Sequence, residues 1–219
     1  MRGSAPTRPA AVVFDCDGVL VDSEPHSVAS WLEVLGRHGH PGTRADIAAC
    51  IGLGYRPTRD ALARLAPLPD PAGLWPELLE ALSASYRRGL VRFADAMAAL
   101  EACERVGIAV AVASASPRPR LDLTLACAGL ATRFPVSVAG DEVAHPKPAP
   151  DVYLRTAALL GVDPKDCVAI EDTPIGARAG VAAGMKTVAV VRGHVEGAAL
   201  AETGAAVVDA ITLEALGLE

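Results

Sequence analysis

The sequence is short of several things, and each shortage removes a class of function. Positive charge is one. The net charge is −6 over 219 residues, with three lysines (Lys147, Lys165 and Lys186) against seventeen arginines, so there is no basic footprint for nucleic acid. Cysteine pairing is another. The five cysteines at 16, 50, 103, 127 and 167 are odd in number and form no C-x-x-C pair, which argues against a disulfide framework and for a reducing cytoplasm. Long apolar runs are also missing: the longest, about Ile108 to Ala113, is far too short to span a bilayer. Residues 1–10 are polar and proline-rich without an apolar stretch, and read as a frayed tail rather than a signal peptide. No internal repeat or low-complexity tract is visible. What the chain does have is carbon. Hydrophobic residues make up 51% of it, enough for a sizeable core and too many for disorder.

From about residue 92 onward, short apolar runs alternate with helical patterns. Strands are expected at 11–14, 108–113, 136–139, 167–170, 187–191 and 206–208, with helices at about 95–106, 117–128, 150–160 and 174–183. Continuous apolar strands separated by helices imply a Rossmann-like, doubly wound parallel sheet covered on both faces. Residues 24–90 break the alternation: Val28, Trp31, Leu32 and Leu35, then Trp75, Leu78, Leu79, Leu82 and Tyr86, recur at helical spacing. The expected organisation is an α/β core over 1–21 and 92–219, with a helical cap inserted at 22–91 and a loop at 68–73.

In such a sheet ligands bind outside the carboxyl ends of the strands. The residues found there are Asp15-Cys16-Asp17-Gly18, then Ser114-Ala115-Ser116, then Glu171-Asp172, with His145-Pro-Lys147-Pro close by. Four acids at the edge of an apolar sheet repel one another unless something positive joins them. A hard cation such as Mg²⁺, with Lys147 as a second positive charge and Ser114 as a donor to an anion, is the outline of a phosphoryl-transfer site. Cys16, between the two aspartates, points to the opposite face and reads as packing. His38 and His40 read as a solvated loop, not a metal site, and His145 as structural.

These residues also carry a resemblance. F-D-C-D-G-V-L-V-D-S-E (14–24), V-A-S-A-S around Ser114, H-P-K-P-A-P-D-V-Y around Lys147 and I-E-D-T-P-I-G-A-R-A-G with Glu171 and Asp172 resemble, in order and spacing, the motifs of the haloacid dehalogenase-like hydrolases over about residues 10–192. Within that family the chain is most similar to β-phosphoglucomutase and to sugar-phosphate phosphatases such as 2-deoxyglucose-6-phosphate phosphatase. The resemblance implies Asp15 as nucleophile and Asp17 as general acid and base, the latter with a pKa raised by the surrounding acids. It also implies Mg²⁺ held by the Asp15 carboxylate, the Asp17 carbonyl, Glu171 and Asp172, and a phosphoryl held by Ser114, the Ala115 amide and Lys147. His26 matches a cap position facing the site. Gly52-Leu-Gly-Tyr-Arg-Pro-Thr-Arg59 stands where the family has its specificity loop, a residue longer here and with two glycines, so Arg56 or Arg59 is a candidate substrate contact. The implied activity is hydrolysis of a small sugar phosphate by a cytoplasmic monomer, with no nucleic-acid or membrane partner. Alternatives are β-phosphoglucomutase and a non-catalytic binding module. The missing cap lysine and Pro117-Arg118 after the second motif weigh against the mutase. Arg92-Phe93-Ala94 replaces the family's usual Pro-Gly at the return from the cap.

Overall fold

The computed structural model describes residues 8–193, 195 and 197–218. In chain order its strands are β1 (Ala11–Phe14), β2 (Val21–Asp22), β3 (Val91–Arg92), β4 (Ala109–Ala113), β5 (Val136–Val138), β6 (Cys167–Glu171), β7 (Lys186–Val190) and β8 (Ala206–Val208). Its helices are α1 (Glu24–Arg37), α2 (Arg44–Ala48), α3 (Tyr55–Leu62), α4 (Pro71–Tyr86), α5 (Ala94–Val106), α6 (Arg118–Cys127), α7 (Asp151–Leu160), α8 (Pro174–Ala182), α9 (Gly197–Ala201) and α10 (Leu213–Leu216).

Six strands form one sheet in the order β5-β4-β1-β6-β7-β8, and every pairing in it is parallel. β1 lies between β4 and β6, where the chain's direction of winding reverses. Its side chains alternate with the pleat. Val12 and Phe14 join a core cluster with Leu100, Val112, Leu121 and Ile170, while Ala11 and Val13 join a second cluster with Val138, Tyr153 and Ala179. Helices therefore cover both faces, which is the Rossmann-like architecture the apolar strands predict. Of the tail expected at 1–10, residues 1–7 lie outside the described residues, and Ala10 is already tied by its N–H to the Asp166 carbonyl at 2.7 Å.

The helices α1 to α4 pack around a separate cluster that includes Trp31, Leu35, Leu62, Leu74, Leu78 and Leu82. Trp31 stacks on Tyr55, and Tyr55 tilts against Trp75 with centroids 4.5 Å apart. Two short antiparallel strands, which apolar periodicity does not reveal, join this layer to the sheet: Val21 pairs with Arg92 and Asp22 with Val91. The loop expected at 68–73 is shorter than its proline and glycine content suggests. Asp70 accepts from the Ala72 and Gly73 N–H groups, so α4 starts at Pro71, where a proline is tolerated.

Candidate active site

Register places the acids. Phe14 is level with Val112 on one side and Ile170 on the other, so Asp15, Ser114 and the pair Glu171–Asp172 emerge together at the carboxyl edge. All four are buried. The Lys147 ammonium reaches in from the loop before α7 and donates to Asp15 Oδ1 at 2.7 Å, to Glu171 Oε1 at 2.5 Å and to the Ala113 carbonyl at 2.9 Å. Tyr153, which the motif reading passes over, donates to the same Glu171 oxygen at 2.6 Å. Ser114 Oγ accepts from the Ser116 N–H at 3.1 Å, and the Ala115 N–H has no acceptor among the described residues.

Carboxylate oxygens of Asp15, Glu171 and Asp172 lie within 4.8 Å of one another. That approach depends on Gly18: at φ +83 it sits in a conformation side chains avoid, and a Cβ there would overlap the Asp172 carboxylate. Burial, with Glu171 and Asp17 nearby, pushes Asp15 up to about 7 despite Lys147. Burial, followed by Asp15 and Glu171, pushes Asp172 well above the ordinary 3.8. Lys147 is raised as well, which favours its charged form: burial would lower it, but Asp15 and Glu171 prevail. The donor set is all oxygen, negatively charged and withdrawn from water, which fits a hard divalent cation.

Asp17 departs from expectation. Burial acts to raise it, but Arg120, Ser23 and Ser116 together outweigh burial and hold its pKa below the ordinary carboxylate value. Ser23 Oγ donates to Oδ1, Ser116 Oγ to Oδ2 at 2.8 Å, and Arg120 Nη2 to Oδ1 at 3.2 Å. Three donors on one carboxylate favour the ionised form. The expected upward shift falls on Asp15 and Asp172 instead. Arg120 is the residue that motif reading misses. The available signal was an arginine in the first turn of a helix that starts at the sheet's active edge, where the helix dipole disfavours a cation without an acidic partner. Its neighbour Arg118 is spent elsewhere, on Glu142 at 2.7 Å, Asp122 and Ser137.

The helical layer closes the cavity from above. Of the residues singled out there, three stay outside. His26 Nδ1 lies 2.8 Å from Ser85 Oγ and its ring packs edge-on against Tyr86, so it faces α4; one helical step on, Ser27 lines the cavity. Arg59 donates to the Pro69 carbonyl at 2.7 Å and to Leu68, bracing the loop before α4. Arg56 lines a neighbouring groove with Trp75, Pro117 and Pro119, which borders the cavity at Gly54, Tyr55 and Ala115. The second glycine of the longer loop has a reason: at Gly54, φ is +78 and a Cβ would sit 3.2 Å from the Ala115 carbonyl, so the loop rests directly on the sheet edge. His40 is also not solvated. It is 8% exposed and bonded to the Ala66 carbonyl, while His38 pairs with Glu77, so the two rings do not converge. Cys16 packs in the core, as expected, and His145 pairs with Asp151 at 2.9 Å at the start of α7.

Known proteins resemble this chain along most of its length. The family model for Haloacid dehalogenase-like hydrolase matches residues 12–190. Fructose-1-phosphate phosphatase YqaB of Escherichia coli is 36% identical over 191 residues, covering 84% of this chain and 97% of its own. Hexitol phosphatase A of Escherichia coli is 32% identical over 183 residues, 81% of each chain. A HAD family hydrolase from Deinococcus radiodurans R1, solved with bound phosphate and sodium, superposes with a TM-score of 0.72 at 32% identity, covering 93% of this chain and 91% of that one. CbbY from Rhodobacter sphaeroides, in complex with phosphate, shares the fold at a TM-score of 0.81, covering 94% of this chain and 96% of its own.

Proposed function

The chain belongs to the haloacid dehalogenase-like hydrolases, and on that premise we propose that it is a phosphomonoesterase acting on a small sugar or polyol phosphate, as a monomer in the cytoplasm, with residues 22–91 serving as its cap. One observation carries the reading: Asp15 stands at the reversal point of the sheet, bonded to Lys147 and grouped with Glu171 and Asp172, with a second carboxylate two residues on.

Asp15 attacks phosphorus and the bond to the leaving oxygen breaks, giving an aspartyl-phosphate. Lys147 and the Ala115 N–H offer charge and a donor to the phosphoryl oxygens. Asp15, Glu171 and Asp172 would hold Mg²⁺, which when bound screens the repulsion between carboxylate and phosphate. Water then attacks the phosphorus, the P–O bond to Asp15 breaks to free the carboxylate and release phosphate, and Asp17, held ionised by its three donors, accepts the proton of the water. To protonate the leaving oxygen in the first step, Asp17 must take up a proton and loosen its hold on Arg120. Most of the cap wall is carbon, which lowers the local polarity around the phosphoryl and strengthens its contacts with Lys147.

The test is phosphate release from a panel of sugar and polyol phosphates with Mg²⁺, alongside Asp15→Asn. Release that falls by at least about 10⁴-fold in the variant, and is lost on chelation, is the expected result. Undiminished release from the variant, or none from any ester by the wild type, overturns the reading.

A further inference from the structure

The phosphatase reading leaves the alcohol half of the substrate open, and the cavity walls speak to it. Two cations line the cavity among the described residues, Lys147 and Arg120. Lys147 is committed to Asp15 and Glu171, beneath the phosphoryl. Arg120 stands at Asp17, the carboxylate that handles the leaving oxygen, so its guanidinium flanks the first carbons of the alcohol. The side chain is 12% exposed. Among the described residues it makes one hydrogen bond, to Asp17, and its buried Nε finds no acceptor. A buried donor without an acceptor is rare in folded proteins, and a guanidinium has five N–H groups to place.

The rest of that wall offers little charge. Tyr55 donates its hydroxyl to the Pro71 carbonyl and Thr58 donates to Gly54, so neither is free to donate to a ligand. Ser27 and Glu24 are the remaining polar side chains on α1, and one of them is an acid. A second anionic group on the substrate would lie against the Asp17 carboxylate and would have to leave water for a wall that is mostly carbon. A neutral hydroxyl oxygen meets neither difficulty and can accept from the guanidinium.

Resting on the phosphatase reading, we propose that Arg120 is a specificity-determining residue: it donates to an uncharged hydroxyl oxygen next to the scissile ester, and the site selects phosphates of neutral polyols and sugars over esters bearing a carboxylate or a second phosphate. A site built around such a hydrogen bond discriminates strongly against analogues that lack the acceptor.

The experiment compares glycerol 3-phosphate, propyl phosphate and 3-phosphoglycerate, alongside the hexose and hexitol phosphates of the wider panel. In the wild type, kcat/KM should favour glycerol 3-phosphate over each of the other two by about tenfold or more. In Arg120→Met, KM for glycerol 3-phosphate should rise roughly ten- to a hundredfold, with KM for propyl phosphate unmoved, so that the preference collapses. Arg120→Lys, which keeps the charge but loses the planar fork, should show the same split in weaker form and stands in if the methionine variant fails to fold. A uniform fall in kcat for all three esters, with KM ratios intact, overturns the proposal, because that is what a residue acting only through Asp17 would do. So does 3-phosphoglycerate as the preferred wild-type substrate. Phosphate release from no ester at all overturns the parent reading and this one with it; release in the wrong order overturns this one alone.

Discussion

On the sheet side of the cavity the charges fall into two hydrogen-bonded sets, Asp15 and Glu171 on Lys147, and Asp17 on Arg120, Ser23 and Ser116, with Asp172 grouped beside the first. On the helical side, Val28, Trp31, Ile47 and Ile51 present mostly carbon. Both walls close on the same space, yet only one is able to do chemistry. Charges taken out of water need partners at fixed distances, and strand ends locked in register supply such positions. An apolar wall built on a small bundle contributes shape and dryness, and tolerates more change.

The largest effect should come from attacking the sheet side at its cation. Lys147→Met leaves Asp15 and Glu171 buried beside each other without their counter-charge. Breaking one partner of a buried ionic set costs about 3–5 kcal/mol of stability, and losing a donor to the transferring group costs about 10²–10³-fold in kcat. Calorimetry and phosphate-release kinetics should show both losses together. A variant that keeps wild-type stability and loses only kcat would mean that the charged set contributes nothing to holding the sheet edge, and the contrast between the walls would reduce to chemistry alone.

A smaller effect should come from the helical side. Gly54→Val forces a β-branched residue into a left-handed backbone conformation and crowds the Ala115 carbonyl. Strain of about 1–3 kcal/mol is expected there, lifting the loop off the sheet edge. Steady-state kinetics should show KM rising by about tenfold, with kcat for the smallest esters changing less. If kcat collapses instead, the loop is part of the reacting geometry and the two walls are not separable.

The same contrast explains what could be read from the sequence. The sheet edge was legible because its placement is local: an apolar run, a turn and an acid at each strand end are contiguous in sequence, and parallel register brings the ends together. Asp15, Ser114, Lys147, Glu171 and Asp172 were found that way. The cap wall depends on which side of a helix meets its neighbour. Helical periodicity located Trp31 and Leu78 in the bundle interior, but the cap position facing the site came from the resemblance, which pointed to His26, about 100° of rotation from the Ser27 that lines the cavity. Arg59 was lost to a nearby loop whose free carbonyls no pattern announces. Arg120 escaped because its partner Asp17 is far away in sequence, and the sign of the Asp17 shift went wrong with it. Counting nearby acids predicted an upward shift; three donors, two of them unsuspected, reversed it.

The smallest effect should arise behind the sheet edge. Arg192 donates to the Gly18 carbonyl at 3.1 Å and to Asp95 at 3.0 Å, and its guanidinium lies over the Phe93 ring, tying the turn after β1 to the return from the helical layer. Asp95 also accepts from the Ile211 N–H at 3.0 Å. Burial would raise Asp95, but the Arg192 hydrogen bond and the Ile211 amide lower it below the ordinary 3.8. A depressed carboxylate pKa gives stability that is fully present above the unfolded value and lost as pH falls through the folded one. Asp95→Asn should therefore cost about 1–2 kcal/mol near pH 7, and the gap between variant and wild type should narrow as pH drops below about 4. Denaturant unfolding at several pH values measures that gap directly. A gap that stays constant into acid would assign the loss to packing around Phe93 rather than to the charge on Asp95. Because this brace touches the backbone of Gly18 and not the carboxylates, kcat at neutral pH should move by less than about tenfold, which would place the brace with the scaffold rather than with either wall of the cavity.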